Sequence, residues 1–211
     1  MKSKCVCIFI LITLLSGPAT AQKYSEGKIV TNDGDTVHCK IKIAKWDINP
    51  RKIVTIHNEK TKRYWATEIA SFEAENRTFV SARVKLDVSN HLDGTLDLED
   101  SQPKFVNDSI FAELIIRGTK NLYRYKSPGF KEHFLIAEND QPLQALIYKR
   151  FHVWTVVSGK MYKQVVYNEE YKNQLETFFS DCPAFKAKIA RTGYEIGQLS
   201  SLFALYYNCS K

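Results

Sequence analysis

Two short runs interleave aromatic with basic side chains: Leu122-Tyr123-Arg124-Tyr125-Lys126 and Tyr148-Lys149-Arg150-Phe151-His152-Val153-Trp154. Aromatic faces and fixed cations together recognise acidic sugars or lipid headgroups, by stacking and by charge-assisted hydrogen bonds. Tyr123, Arg124, Tyr125, Lys149, Arg150 and Trp154 are therefore the candidate ligand surface. The competing account is structural. On a strand Tyr123 and Tyr125 share one face and Arg124 and Lys126 the other, and a half-buried strand produces that alternation with no ligand.

Signals for catalysis and metal binding are weaker. His38, His57, His91, His133 and His152 are scattered singly, without the i, i+4 pairing of a helical zinc site. The acidic stretch Asp87 to Asp100, read as a calcium loop from Ser89, places Asp93 fifth, Gly94 sixth and Asp100 twelfth. It fails at the first and third positions, Ser89 and His91, and has aspartate where the bidentate glutamate belongs, so a solvated acidic loop is expected. Ser127 and Ser158 lie beside turn residues, outside any Gly-x-Ser-x-Gly elbow, and no phosphate loop or dinucleotide fingerprint occurs. A carboxylate pair such as Glu132 with Asp108 can be drawn, but a glycosidase pair is defined by separation in space. The sequence assigns no catalytic, cofactor-binding or metal residue and no cofactor.

Five cysteines occur: Cys5, Cys7, Cys39, Cys182 and Cys209. The first two sit in an N-terminal segment with the three parts of a secretory signal. Lys2 and Lys4 precede the apolar run Cys5–Leu15, and Ala19-Thr20-Ala21 offers a small-x-small cleavage site before Gln22. Eleven residues are too few for the roughly 20 that span a bilayer. Residues 1–21 are read as a signal peptide, and the mature chain is expected in the periplasm, cell envelope or extracellular space. Its removal leaves 190 residues and, with two lysines and no acid lost, takes the formal charge from +7 to +5. That surplus is mild and forms no basic stripe, so a nucleic-acid partner is not expected. No later segment reaches transmembrane length.

Three cysteines remain after export, allowing one bridge and one thiol among three pairings. Cys182 and Cys209 flank a helical segment, and their pairing is the one expected. Cys39 alternates with His38, Lys40 and Lys42 on the side of Ile41 and Ile43, which predicts a buried thiol.

The elements that must position these residues fall in two classes. Runs 26–31 and 36–43 flank Asn32-Asp33-Gly34-Asp35, a hairpin signal, and 53–56 with 63–66 bracket a second at Asn58-Glu59-Lys60-Thr61. Further strands are expected at 79–86, 110–116, 122–126, 132–137 and 143–148. From Tyr167 the period changes: Tyr167, Tyr171, Leu175, Phe178 and Phe179 mark one helical face, followed by helical patterns at 185–190 and from Ile196 to Tyr206. The expected fold is α+β, with an antiparallel β-rich domain over 22–157 and a disulfide-stapled C-terminal helical module over 158–211 packed on it. An outer-membrane barrel fits poorly, because the chain closes with helices and lacks repeated ten-residue alternating strands.

The ordered set Gly27-x-Ile29-Val30-Thr31, Gly34-Asp35-Thr36, Tyr123-Arg124-Tyr125, Tyr148-Lys149, Cys182-Pro183, Leu202-Phe203 and Tyr207-Asn208-Cys209 resembles a family of uncharacterised secreted proteins of Gram-negative cell envelopes. The resemblance covers most of the mature chain. It implies an envelope location and a Cys182–Cys209 bridge, and brings no activity. Cys39 departs from it, standing where a small residue is expected. The functional expectation is an exported, non-enzymatic binding or interaction module whose partner is an envelope protein or an acidic glycan. The alternative is an envelope hydrolase acting on glycan or peptide.

Overall fold

The computed structural model describes residues 23–42, 47–129, 131–139 and 141–209. The expected signal peptide and Ile43 lie outside them. The fold is α+β: a mainly antiparallel sheet followed by a C-terminal helical region with a Cys182–Cys209 disulfide.

Four strands, β1 (Tyr24–Thr31), β2 (Thr36–Lys42), β3 (Lys52–His57) and β4 (Lys60–Trp65), run as a meander. The chain then returns to pair β5 (Ile69–Ala74) with the free side of β1. A second meander continues outward through β6 (Arg77–Asp87), β7 (Phe105–Ile116), β8 (Lys120–Lys126), β9 (Glu132–Glu138) and β10 (Gln144–Ala145). Hairpin turns set these registers. Asn58–Glu59 and Glu75–Asn76 both have positive φ at each residue, the backbone of two-residue turns whose twist matches that of the strands.

The alternation places two apolar cores on opposite faces of this sheet. Ile29, Cys39, Ile41, Ile53, Ile69, Phe72, Phe79 and Phe111 form one. There Phe72 stacks on Phe79 at 4.6 Å and meets Phe111 edge-on at 5.0 Å. Burying one such ring contributes about 1.5–3 kcal/mol. On the other face β10 returns against β6, so β6 to β10 curl around Val84, Leu86, Ile110, Ala112, Tyr123, Tyr125, Leu135 and Ala137. Asn49 plugs the gap between β7 and β8. Its side chain donates to the carbonyls of Phe111 (2.8 Å) and Arg124 (3.3 Å) and accepts from the Lys126 amide (2.9 Å). A loop residue thereby does the work of a ladder.

The helices α1 (Tyr171–Phe178), α2 (Lys186–Arg191) and α3 (Ile196–Cys209) cover the outer face of β8 and β9 at Leu122, Phe134 and Ile136. Tyr194 ties the layers, accepting from the Phe134 amide (3.1 Å) and donating to Leu146 O (3.2 Å). Buried Lys120 lies against the rings of Phe178, Phe179 and Tyr206 and pairs with Asp181 at 3.0 Å. Gly118 is required beside it, because a Cβ there would sit 2.0 Å from the Tyr207 hydroxyl. The disulfide joins Cys182, in the connection between α1 and α2, to Cys209 at the end of α3 across a sequence separation of 27.

The structure departs from expectation at four places. The junction after Val157 falls inside a hairpin, β11 (Lys149–Val157) with β12 (Lys160–Asn168), so residues 160–168 are strand where the helical module was expected. The first helix begins at Tyr171, since only Tyr171, Leu175 and Phe179 of the expected face are buried, while Tyr167 stays on β12 and stacks on Tyr148 at 5.9 Å. The strand expected over 143–148 shrinks to Gln144–Ala145, and β5 was not expected at all.

Candidate functional site

The β11–β12 hairpin stands outside the ten-stranded sheet as its own two-stranded ribbon. Its base is clamped by the acidic stretch read above as a loop. Leu98 bridges to His152 in parallel, the Glu99 amide donates to His152 O (2.7 Å), and the His152 amide donates to Asp97 O (2.8 Å). Asn168 donates to Ser101 O at 3.0 Å. Lys149 completes the clamp from the interior: its ammonium, fully buried, lies 2.9 Å from Asp97, 3.3 Å from Asp100 and 2.6 Å from Gln102 O. The Gln102 carbonyl accepts a hydrogen bond from the ammonium, and the two carboxylates offset its buried charge as ion pairs. Lys104 approaches Asp97 at 2.8 Å, and the hydrogen bonds from Lys104 and Lys149 hold the Asp97 carboxyl down to about 2. Arg150 pairs with Asp93.

Beyond His152 the ribbon is alone. Val153–Val157 pair in register with Lys160–Gln164, and no hydrogen bond or ion pair joins residues 153–164 to the rest of the described residues. Five residues' rise, from His152 to Val157, carries the tip roughly 16 Å past the clamp, at about 3.3 Å per residue. The two turn residues Ser158 (φ 51°) and Gly159 (φ 76°) reverse the chain. Here the apolar groups face water: Val156 is 65% exposed, Met161 64%, Val157 56%, Tyr162 50% and Trp154 42%. Lys163 lies over the Trp154 ring at 5.4 Å.

The six residues read as a ligand surface do not form one exposed face. Tyr123 and Tyr125 point into the β6–β10 core, and Lys149 is buried in the clamp. Arg124 lies on the opposite face of β8, where it and Arg77 both bind the Glu113 carboxylate at 2.6 Å. Burial alone would raise the Glu113 pKa, but the hydrogen bonds from Arg77 and Arg124 outweigh it and hold the carboxyl below its usual range. Arg150 is spoken for by Asp93, which leaves Trp154 as the member displayed at the tip. Sequence reading missed the rest of the ribbon. Its signal was Ser158-Gly159 between runs rich in valine and aromatics, a two-residue hairpin pattern.

Other polar clusters are self-contained. Asp87, buried near the β6–β10 core, accepts from Ser89 Oγ (2.6 Å) and the Lys104 amide (3.1 Å) and pairs with Lys131 at 2.7 Å. Burial together with the Lys131 charge holds nearby His133 neutral down to about 4. A shallow depression of about 760 Å³ opens beside β1, β5 and β6, lined by Glu26, Lys28, His38, Glu73 and Arg77; there Lys28 pairs with Glu73 at 3.1 Å. Among the described residues no three His, Cys, Asp or Glu side chains converge on a metal position. No helix among them is long and apolar enough to cross a membrane. No family model, curated protein or solved structure matches the chain.

Proposed function

We propose that this chain is an exported cell-envelope protein acting as a non-enzymatic binding module, and that it meets its partner through the distal half of the β11–β12 ribbon. The observation that carries this reading is the exposure of Trp154, Val156, Val157, Met161 and Tyr162 on an element that, among the described residues, has no hydrogen bond or ion pair to the rest beyond His152. A two-stranded hairpin is marginal in water, and clustered exposed apolar side chains mark interaction sites. The buried clamp around Lys149 makes sense as the rigid footing of such an arm. Export is supported by the three-part leader, by the envelope-family resemblance and by a disulfide suited to an oxidising compartment. Binding is favoured over hydrolysis because buried Asp87 and Glu113 and half-buried Asp97 are each engaged by cations, not poised to exchange a proton.

The test is expression of the full chain with fractionation of the envelope, beside a variant in which residues 154–163 are replaced by Asn-Gly. The mature species is expected to begin at Gln22 by intact mass. The trimmed variant should keep its disulfide and circular dichroism but lose retention in the envelope fraction. Equal retention of both chains, or a mature species carrying residues 1–21, would overturn the proposal.

A further inference from the structure

We infer that the ribbon tip seats in an anionic lipid surface, with Val156, Val157 and Met161 entering the boundary between headgroups and acyl chains and Lys160 and Lys163 held at the headgroup phosphates. This rests on the ribbon being the contact element and goes on to name the chemistry of its partner.

Charge is the first line of support. No Asp or Glu occurs from Gln141 to Asn168, a run that carries four Lys or Arg. The two cations at the base are neutralised, Lys149 by Asp97 and Asp100 and Arg150 by Asp93. The two at the tip, Lys160 and Lys163, pair with no carboxylate among the described residues. The field at the tip is therefore positive and unopposed, complementary to anionic headgroups.

Shape separates lipid from the other occupants. Paired residues share a face, so Trp154 with Lys163 and Val156 with Met161 lie on one side, and Thr155 with Tyr162 and Val157 with Lys160 on the other. Apolar groups thus project from both sides of the tip. A protein groove or a stacked sugar would engage one face and leave the other in water, whereas a bilayer boundary surrounds a wedge on all sides. The dimensions agree. From the Trp154–Lys163 pair to the Val157–Lys160 pair is about 10 Å at 3.3 Å per residue, matching the roughly 5–10 Å depth of interfacial elements. Trp154 and Tyr162 then fall at the level where such rings sit, and the lysine stems can lie along the apolar layer with their ammonium groups in water. Both ribbon edges carry unpaired backbone groups, which forbids deeper entry into hydrocarbon.

The experiment uses the purified mature chain with phosphatidylcholine vesicles, with and without phosphatidylglycerol, in a Trp46→Phe/Trp65→Phe background so that Trp154 is the only reporter. Co-sedimentation is expected only with phosphatidylglycerol present, reversed by high salt, with a blue shift of Trp154 emission. Each lysine neutralised, Lys160→Gln or Lys163→Gln, should weaken binding about 5-fold. Val156→Asp/Met161→Asp, at exposed positions that leave the fold intact, should abolish the blue shift. Failure to co-sediment with anionic vesicles, or binding indifferent to Val156→Asp/Met161→Asp, overturns the inference. So does binding of an acidic polysaccharide in place of vesicles. If vesicles are ignored while ribbon trimming still releases the chain from the envelope, the lipid assignment falls and the binding module stands.

Discussion

Replacing Lys149 by methionine tests whether the ribbon's footing is electrostatic. Methionine keeps the apolar stem and removes the ammonium, so packing changes little and the carboxylates lose a partner. Breaking a buried ion pair from one side costs about 3–5 kcal/mol. Asp97 retains Lys104 at 2.8 Å and Asp100 is partly exposed, which places the expected loss at the lower end, about 3 kcal/mol at pH 7. That is a large fraction of the roughly 5–15 kcal/mol that holds a domain of ordinary stability. In urea it moves the unfolding midpoint down by about 1–2 M for typical slopes. The pH dependence gives an independent check. The folded Asp97 carboxyl is depressed from 3.8 to about 2, so its stabilising contribution is present above pH 4 and is lost as the pH falls through 2. The gap between the wild type and Lys149→Met should accordingly narrow across that window. His133, which is common to both chains, cancels from the difference. Hydrogen exchange locates the effect: the Glu99 and His152 amides, which close the clamp, should lose protection before the β6–β10 amides do. A Lys149→Met chain within 0.5 kcal/mol of wild type at pH 7, or a gap unchanged between pH 5 and pH 2, would refute the reasoning.

Three further predictions rest on single observations. Asn49→Ala should cost about 2–4 kcal/mol by equilibrium denaturation, because it strands two carbonyls and one amide between β7 and β8; a change under 1 kcal/mol would mean that water replaces the side chain. Cys182→Ser/Cys209→Ser should lose about 2–4 kcal/mol and raise exchange in α1–α3 ahead of the sheet, whereas in the native chain Cys39, buried and with its thiol pushed up by burial and by Glu26, should resist iodoacetamide until the protein unfolds. Calorimetric titration should find no micromolar calcium site in residues 87–100, since Asp87, Asp93, Asp97 and Asp100 already pair with Lys131, Arg150, Lys104 and Lys149.

The parts of the fold that were legible in the sequence are those whose side chains answer to the protein's own core. Cys39 and Ile41 alternate with lysines because one face of β2 packs on Phe72 and Phe111, and the period of two reports that burial. Tyr171, Leu175 and Phe179 repeat at helical spacing for the same reason, and the cysteine pair brackets the elements it staples. Tyr123 and Tyr125 were legible too, but as core, and their neighbours' charge belongs to the Glu113 network and not to a surface. Asn49 gave no signal, because its role depends on a gap between strands more than sixty residues away.

The ribbon was illegible for a reason that bears on what it does. A strand is recognised by a buried face alternating with a wet one, and β11 and β12 beyond His152 lack that alternation: Trp154, Val156 and Met161 on one side and Val157 and Tyr162 on the other are all exposed. A pattern that matches no burial among the described residues is what the proposed contact role would leave in the sequence. The same is true of charge. From Gln141 to Asn168 the chain spends acids nowhere, yet it supplies them from 93–100 to neutralise the two cations at the base, leaving the two at the tip unmatched. Among the described residues internal compensation stops where internal packing stops, at His152, and on the proposed reading a partner meets the apolar and cationic residues past that point.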